Sequence, residues 1–364
     1  MTKLFLSGDV MTGRGIDQVL PHPSDPSLHE SYVRDARRYV ELAEQTNGPI
    51  RRSVDLQYIW GDALEVLEKR APDARIINLE TSVTSSAAYW PDKGINYRMH
   101  PDNVGCLTAA GVDCCVLANN HVLDFGFAGL EETLATLHGA GLRTAGAGRD
   151  AHEAAAPARI DTGGGGRVLV FAFGAATSGI PPEWRADGHA GIALLPQLSH
   201  RTASEAARRI ETLRRPGDIV VVSVHWGGNW GYSIPAEQRE FARTLIDMEA
   251  ADVVHGHSSH HPKGIELHRG KPILYGCGDF LNDYEGIAGY EEYRPDFSLM
   301  YFVSFDGGSG EFLRLEVVPL RKKRLRLWAV SKADAKWLAA TLERECARLG
   351  TRIVPMGDGT LTVA

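Results

Sequence analysis

Short runs of consecutive apolar residues recur along the chain, and most of them end in a polar or ionisable residue. Leu4–Met11 reads as a buried first strand with Asp9 near its carboxyl end. Arg75-Ile-Ile-Asn-Leu-Glu80 also ends in a carboxylate, and Val112–Ala118 empties into Asn119-Asn120-His121. Asp218–His225 ends in a histidine. Asp252–His255 runs on into Gly256-His257-Ser258-Ser259-His260-His261. Helical periodicity falls between these runs, at about 32–45, 55–70, 102–110, 128–140, 199–215 and 235–250. Strands that alternate with helices predict an α/β fold. Leu299–Phe305, Phe312–Pro319 and Arg324–Val330 follow closely on one another and predict antiparallel strands; a helix at about 331–348 and a short tail close the chain. Gly163–Gly166 predicts a hairpin or loop tip, and the acidic, aromatic stretch 283–296 predicts a loop over the site. There is no internal repeat and no long linker. The expected organisation is one catalytic domain, 1–330, with a C-terminal helix and tail, 331–364, packed on it.

The ends of the predicted strands carry the candidate chemistry. Asp9, Glu80, Asn120 with His121, His225, and His257 with His260 each follow an apolar run. In open α/β sheets ligands bind outside the carboxyl ends of the strands. Each residue has an ordinary alternative: a helix cap for Asp9, an ion pair for Glu80, a turn aspartate for Asp124, a packed core histidine for His225. Five strand ends that deliver the same chemistry are hard to explain as packing. Four of the 14 histidines lie between Asp252 and Pro262, and clustered imidazoles hold metal ions or move protons near neutral pH.

Composition narrows the classes. Hydrophobic content of 43% with 23% charged residues fits a soluble globular protein. A net charge of -7 and the lack of a basic run of five residues argue against a nucleic-acid partner. Arg321–Arg326, the most basic stretch, reads as an edge strand guarded by charges. The five cysteines show no spacing pattern, so they are expected to be reduced and buried. No apolar segment reaches the length of a membrane span or a signal-peptide core, so a cytoplasmic protein without a membrane partner is expected.

The blocks Gly8-Asp9-Val10-Met11, Asn78-Leu79-Glu80, Leu117–Gly126, Val224-His225-Trp226-Gly227, Gly256–His260 and Leu274–Phe280 resemble the CapA family, linked to poly-γ-glutamate capsule synthesis. The likeness covers roughly residues 3–320. It implies the calcineurin-like metallophosphoesterase fold, an αββα sandwich of two mixed β-sheets flanked by helices. By that resemblance Asp9, Glu80, Asn120, His225 and His257 are metal ligands. Asp9, His121, Asp124, His257 and His260 are the acid/base set, with Asp124 orienting His121. Asp279 stands where much of the family has asparagine. Arg14, Arg98 and Trp226 are the expected substrate contacts, with Trp230 and Tyr232 beside them. A mixed oxygen and imidazole set suits a divalent ion, Ca²⁺, Mn²⁺ or Mg²⁺ first, then Zn²⁺ or Fe²⁺. The sequence departs from two-metal phosphoesterases at Asp9-Val10-Met11, which lacks a histidine, and at Asn78-Leu79-Glu80. One tightly held ion is therefore expected. The favoured reading is a metal-dependent acid/base enzyme on a peptide, a ribosomal precursor peptide included, that inverts a Cα centre. The alternatives are a metal-dependent phosphoesterase and a capsule-biosynthesis protein.

Overall fold

Alternation along single strands builds the molecule. In the strand Arg167–Ala175, Val168, Val170 and Ala172 enter one buried cluster while Leu169, Phe171 and Phe173 enter another. In Ile219–His225, Ile219 and Val221 join the first cluster and Val220, Val222 and Val224 the second. Both faces of this sheet are thus covered, as the unbroken apolar runs require. The second cluster is filled by the helices His200–Leu213 and Ala236–Asp247. The first cluster also holds Leu4, Leu6, Ile76 and Val116 from a second sheet.

The computed structural model describes residues 1–163 and 166–364. Its larger sheet has ten strands. Thr2–Val10, Ala74–Leu79, Cys114–Val116 and Arg143–Ala145 run parallel. On the other side of Thr2–Val10 lie Phe297–Phe305 and then Phe312–Lys322, both antiparallel to their neighbours. Asp279–Leu281 pairs in parallel with the end of the first strand, at Asp9 and Val10. The smaller sheet has seven strands, in which Arg167–Ala175, Ile219–His225, Val253–His257 and Lys271–Leu274 are parallel and Ile265–His268 and Ala158–Asp161 antiparallel. The architecture is an α/β sandwich of mixed sheets flanked by helices.

The glycine-rich hairpin is present in its flanks, since Asp161 pairs with Arg167; its tip, residues 164–165, lies outside the described residues. The basic stretch 321–326 is not a free edge. Phe312–Lys322 pairs with Phe297–Phe305 on one side and with Leu327–Ala329 and Leu361–Val363 on the other. The short tail after the last helix is the hairpin Ile353–Pro355 with Leu361–Val363, and it extends the larger sheet. All five cysteines are buried and free. Among the described residues no helix is long and apolar enough to cross a membrane.

Candidate functional site

The site forms where the carboxyl ends of the two sheets meet. On the larger sheet Asp9 is fully buried, and its Oδ1 accepts from Asn78 Nδ2 at 2.7 Å. The same amide nitrogen lies 3.3 Å from Glu80 Oε2, and Asn119 Nδ2 donates to Asn78 Oδ1 at 3.0 Å. Gly8 is needed here because the strand that carries Asp279 passes close by. A Cβ on Gly8 would stand 1.7 Å from Gly278 O.

The smaller sheet supplies the imidazoles by its period of two. In Val253–His257 the residues Val253, His255 and His257 face the larger sheet, so the spacing His-Gly-His sends both rings inward. Gly256 between them faces the other way; a Cβ there would meet Leu274 O at 2.6 Å. Register sets His225 beside His257 and Ser223 beside His255. The Ser223 hydroxyl lies 2.8 Å from His257 Nε2 and 3.1 Å from His255 Nδ1. His255 Nε2 donates to Ser7 O at 2.8 Å and ties the two sheets together. Asn120 Oδ1 lies 3.0 Å from His225 Nε2.

Two histidine–carboxylate pairs flank this centre. His121 Nδ1 lies 2.7 Å from Asp124 Oδ2, with its Nε2 3.8 Å from Glu80 Oε1. His260 Nδ1 lies 2.9 Å from Asp279 Oδ1, whose other oxygen accepts from Asn282 at 2.7 Å. Each pair has a lysine beside it, the half-buried Lys93 and the buried Lys322. Lys93 Nζ is 2.6 Å from Asp124 Oδ1, and Lys322 Nζ donates to Asp279 O at 2.8 Å.

Burial governs the protonation of the centre. It pushes Asp9 up to about 7, with help from the charge of Asp279. Glu80 is raised by burial and by Asp9. Burial lowers His121 and His255 to about 4 and holds His225 and His257 below the usual imidazole range. His260 is the exception: burial opposes its protonation, but the charge and hydrogen bond of Asp279 together with the charge of Asp9 raise it.

Acids packed this closely in a buried place call for a cation. Asp9, His225 and His257 offer ligand atoms within 4.8 Å of one another, and so do Asp9, His260 and Asp279. The two triads share Asp9, whereas the sequence points to a single ion. The donors are carboxylate oxygen and imidazole nitrogen with no cysteine, which fits a divalent ion of the Mn²⁺, Ca²⁺ or Zn²⁺ kind. Glu80 and Asn120, the other expected ligands, border the centre: Glu80 Oε1 is 3.9 Å from His225 Nε2.

The expected substrate contacts fall elsewhere. Arg14 is 3% exposed, and its guanidinium is engaged by Asp283, Glu30 and Tyr39, so it is not free to hold a terminal carboxylate. Arg98 donates to the carbonyls of Ser86 and Asp25 and lies over Phe125, where it joins loops. Trp226 is buried against Phe241 and Tyr275 and donates to Tyr275 O, so it is core and not a stacking surface. Trp230 lies nearer the site: its ring is 5.2 Å from His260 and stacks on Tyr290 at 3.9 Å. Tyr284, Tyr290 and Tyr293 bring the stretch 283–296 over the His260 side. Lys93, Ser223 and Lys322 carry no mark in the sequence that sets them apart as site residues, and Asn78 stands out only as part of the block Asn78-Leu79-Glu80. Only the strand pattern points to Ser223, two residues before His225.

The fold and site define a class: an α/β sandwich with a buried carboxylate–imidazole centre whose side chains could hold a metal ion. The model of the family described as bacterial capsule synthesis protein PGA_cap matches residues 3–284, and this chain belongs to that family. A Mycobacterium tuberculosis protein named "Probable polyglutamine synthesis accessory protein" is 48% identical over 99% of this chain and 95% of its own length. The Bacillus subtilis "PGA biosynthesis protein CapA" is 27% identical over 93% of this chain and 83% of its own. The Bacillus anthracis "Capsule biosynthesis protein CapA" is 26% identical over 63% of this chain and 52% of its own.

Proposed function

We propose that this chain is a divalent-cation-dependent accessory enzyme in the synthesis of a polyglutamine or poly-γ-glutamate polymer. The observation that carries the reading is the shared ligand Asp9, buried between two candidate metal triads. The names of the relatives supply the polymer. The capsule reading thereby stands ahead of the precursor-peptide epimerase, and the peptide partner becomes a chain of glutamyl or glutaminyl units. A bound cation would supply polarisation of a substrate oxygen. The chain's own residues do the rest. His121, oriented by Asp124, presents Nε2 toward the centre, neutral and able to accept a proton. His260, oriented by Asp279, is the more readily protonated imidazole and is placed to give one. Trp230 and Tyr290 offer flat apolar surface to an extended amide chain beside His260.

A polymer-producing host stripped of its own copy tests this. The intact chain restores polymer yield and length, and Asp9→Asn, expressed at the same level, does not. Full restoration by Asp9→Asn would overturn the reading. A second reading, inversion at a glutamyl Cα, draws on the two carboxylate-oriented imidazoles. It requires deuterium from D₂O at Cα when the metal-loaded protein meets the polymer.

A further inference from the structure

His121 Nδ1 has two close neighbours of opposite character. Asp124 Oδ2 lies at 2.7 Å and already accepts the Tyr97 N–H at 2.6 Å. Lys93 Nζ lies at 2.9 Å. A carboxylate is an acceptor, so the short contact with Asp124 needs the imidazole proton on Nδ1. An ammonium is a donor and favours the proton on Nε2 instead. Which nitrogen carries it depends on where Asp124 is held. Among the described residues Asp124 Oδ1 is buried and has no hydrogen-bond donor aligned with it; Lys93 is its close cation, at 2.6 Å. Lys93 is itself anchored by donation to Ile95 O at 3.2 Å, and its ammonium lies 5.7 Å from the Trp184 ring.

We propose that Lys93 is a positioning residue: its ion pair with Asp124 Oδ1 pins the carboxylate against His121 Nδ1 and so keeps the Nε2 lone pair facing the centre. This rests on the reading that His121 handles a proton. Lys93 sits in the irregular stretch between Ser82–Val83 and Arg98–Met99, so the lysine enters the site from a loop and not from a strand end. Without it Asp124 Oδ1 would be a buried oxygen with no partner, and the carboxylate would be held from the backbone only at Oδ2, by the Tyr97 N–H, about which it could turn from the ring.

Nitrogen NMR of the full chain labelled in its histidine rings tests the proposal without substrate or metal. The ring signals of His121, assigned by their loss in His121→Gln, are expected to show one tautomer with the proton on Nδ1. Lys93→Met is expected to give a mixture of tautomers, and Lys93→Arg, which keeps the cation, to restore the single form. Lys93→Gln is read in the same way as Lys93→Met should that variant fail to fold. An unchanged tautomer in a folded Met or Gln variant, or an Nε2–H tautomer in the parent protein, overturns the proposal. The readout is the ring at rest, so the role of Lys93 is tested even in a protein that acts on no polymer.

Discussion

The Nδ1 atoms of His225 and His257 face each other at 2.8 Å. A neutral imidazole has one donor and one acceptor nitrogen, so one proton lies between the two Nδ1 atoms. The chain of bonds runs from the Ser223 hydroxyl through His257 and His225 to Asn120 Oδ1. Asp9 Oδ1 lies 3.8 Å from His257 Nδ1, beside that shared proton. A cation that takes both Nδ1 lone pairs must displace it to the Nε2 of His257, beside the Ser223 hydroxyl.

Metal binding is expected to release a proton from Asp9 and so to tighten as pH rises. Burial raises Asp9 to about 7. Below that value its proton must be displaced by the ion, and above it none remains to displace. Affinity should climb as pH rises through about 7 and then level off with respect to Asp9. Calorimetry in buffers of different ionisation enthalpy measures both effects. Affinity that is flat or falls with pH would contradict them.

Sharing of Asp9 predicts unequal losses among ligand variants. Asp9→Asn should remove nearly all bound divalent ion, since both triads lose a member. Asp279→Asn should weaken only the triad with His260, and His257→Ala only the one with His225. Elemental analysis after stripping and reloading checks this. Retention of metal by Asp9→Asn would show that Glu80 or Asn120 holds it instead.

Trp226 and Trp230 should separate stability from the site. Trp226→Ala empties a buried place and is expected to cost ~3–5 kcal/mol in urea unfolding. Trp230→Ala should cost much less and instead weaken polymer binding. Equal and small losses from the two would mean that the core around Phe241 and Tyr275 does not depend on Trp226.

Arg14 should behave as a structural cation. Arg14→Met leaves Asp283 and Glu30 buried without their partner, a change that costs ~3–5 kcal/mol. Thermal melting should record the loss before any effect on turnover is seen. A variant as stable as the parent with a raised KM for the polymer would return Arg14 to substrate binding.

The parts of the fold that follow from short-range periodicity were legible in the sequence. Val220 to Val224 alternate between two buried faces, and that alternation carries on to Ser223 and His225. Asp9, Glu80, His225 and His257 come together because each stands at or just after the end of a parallel strand, and His121 lies in the loop that follows Cys114–Val116, a rule that needs only strand order. The partners of charged side chains were not legible. Arg14 meets Asp283 across 269 positions of chain, and Lys93 reaches Asp124 from a loop with no periodicity. The expectation for Trp226 fails for a related reason: adjacency to His225 in sequence puts it on the opposite face of the strand. The short strands Asp279–Leu281 and Leu361–Val363 have too few residues to show a period.

The pairing of Thr2–Leu6 with Tyr301–Phe305 has a consequence for how the protein is cut. The family match ends at residue 284, and every candidate ligand lies within it. A fragment trimmed to that boundary keeps all the ligands but strips the first strand of its antiparallel neighbour. It also loses Lys322, which donates to the carbonyls of Asp279 and Phe297. The strand that bears Asp9 would become an open edge with an apolar run of unpaired amides, a template for aggregation. The minimal unit that can hold an ion is thus larger than the unit that contains the ligands.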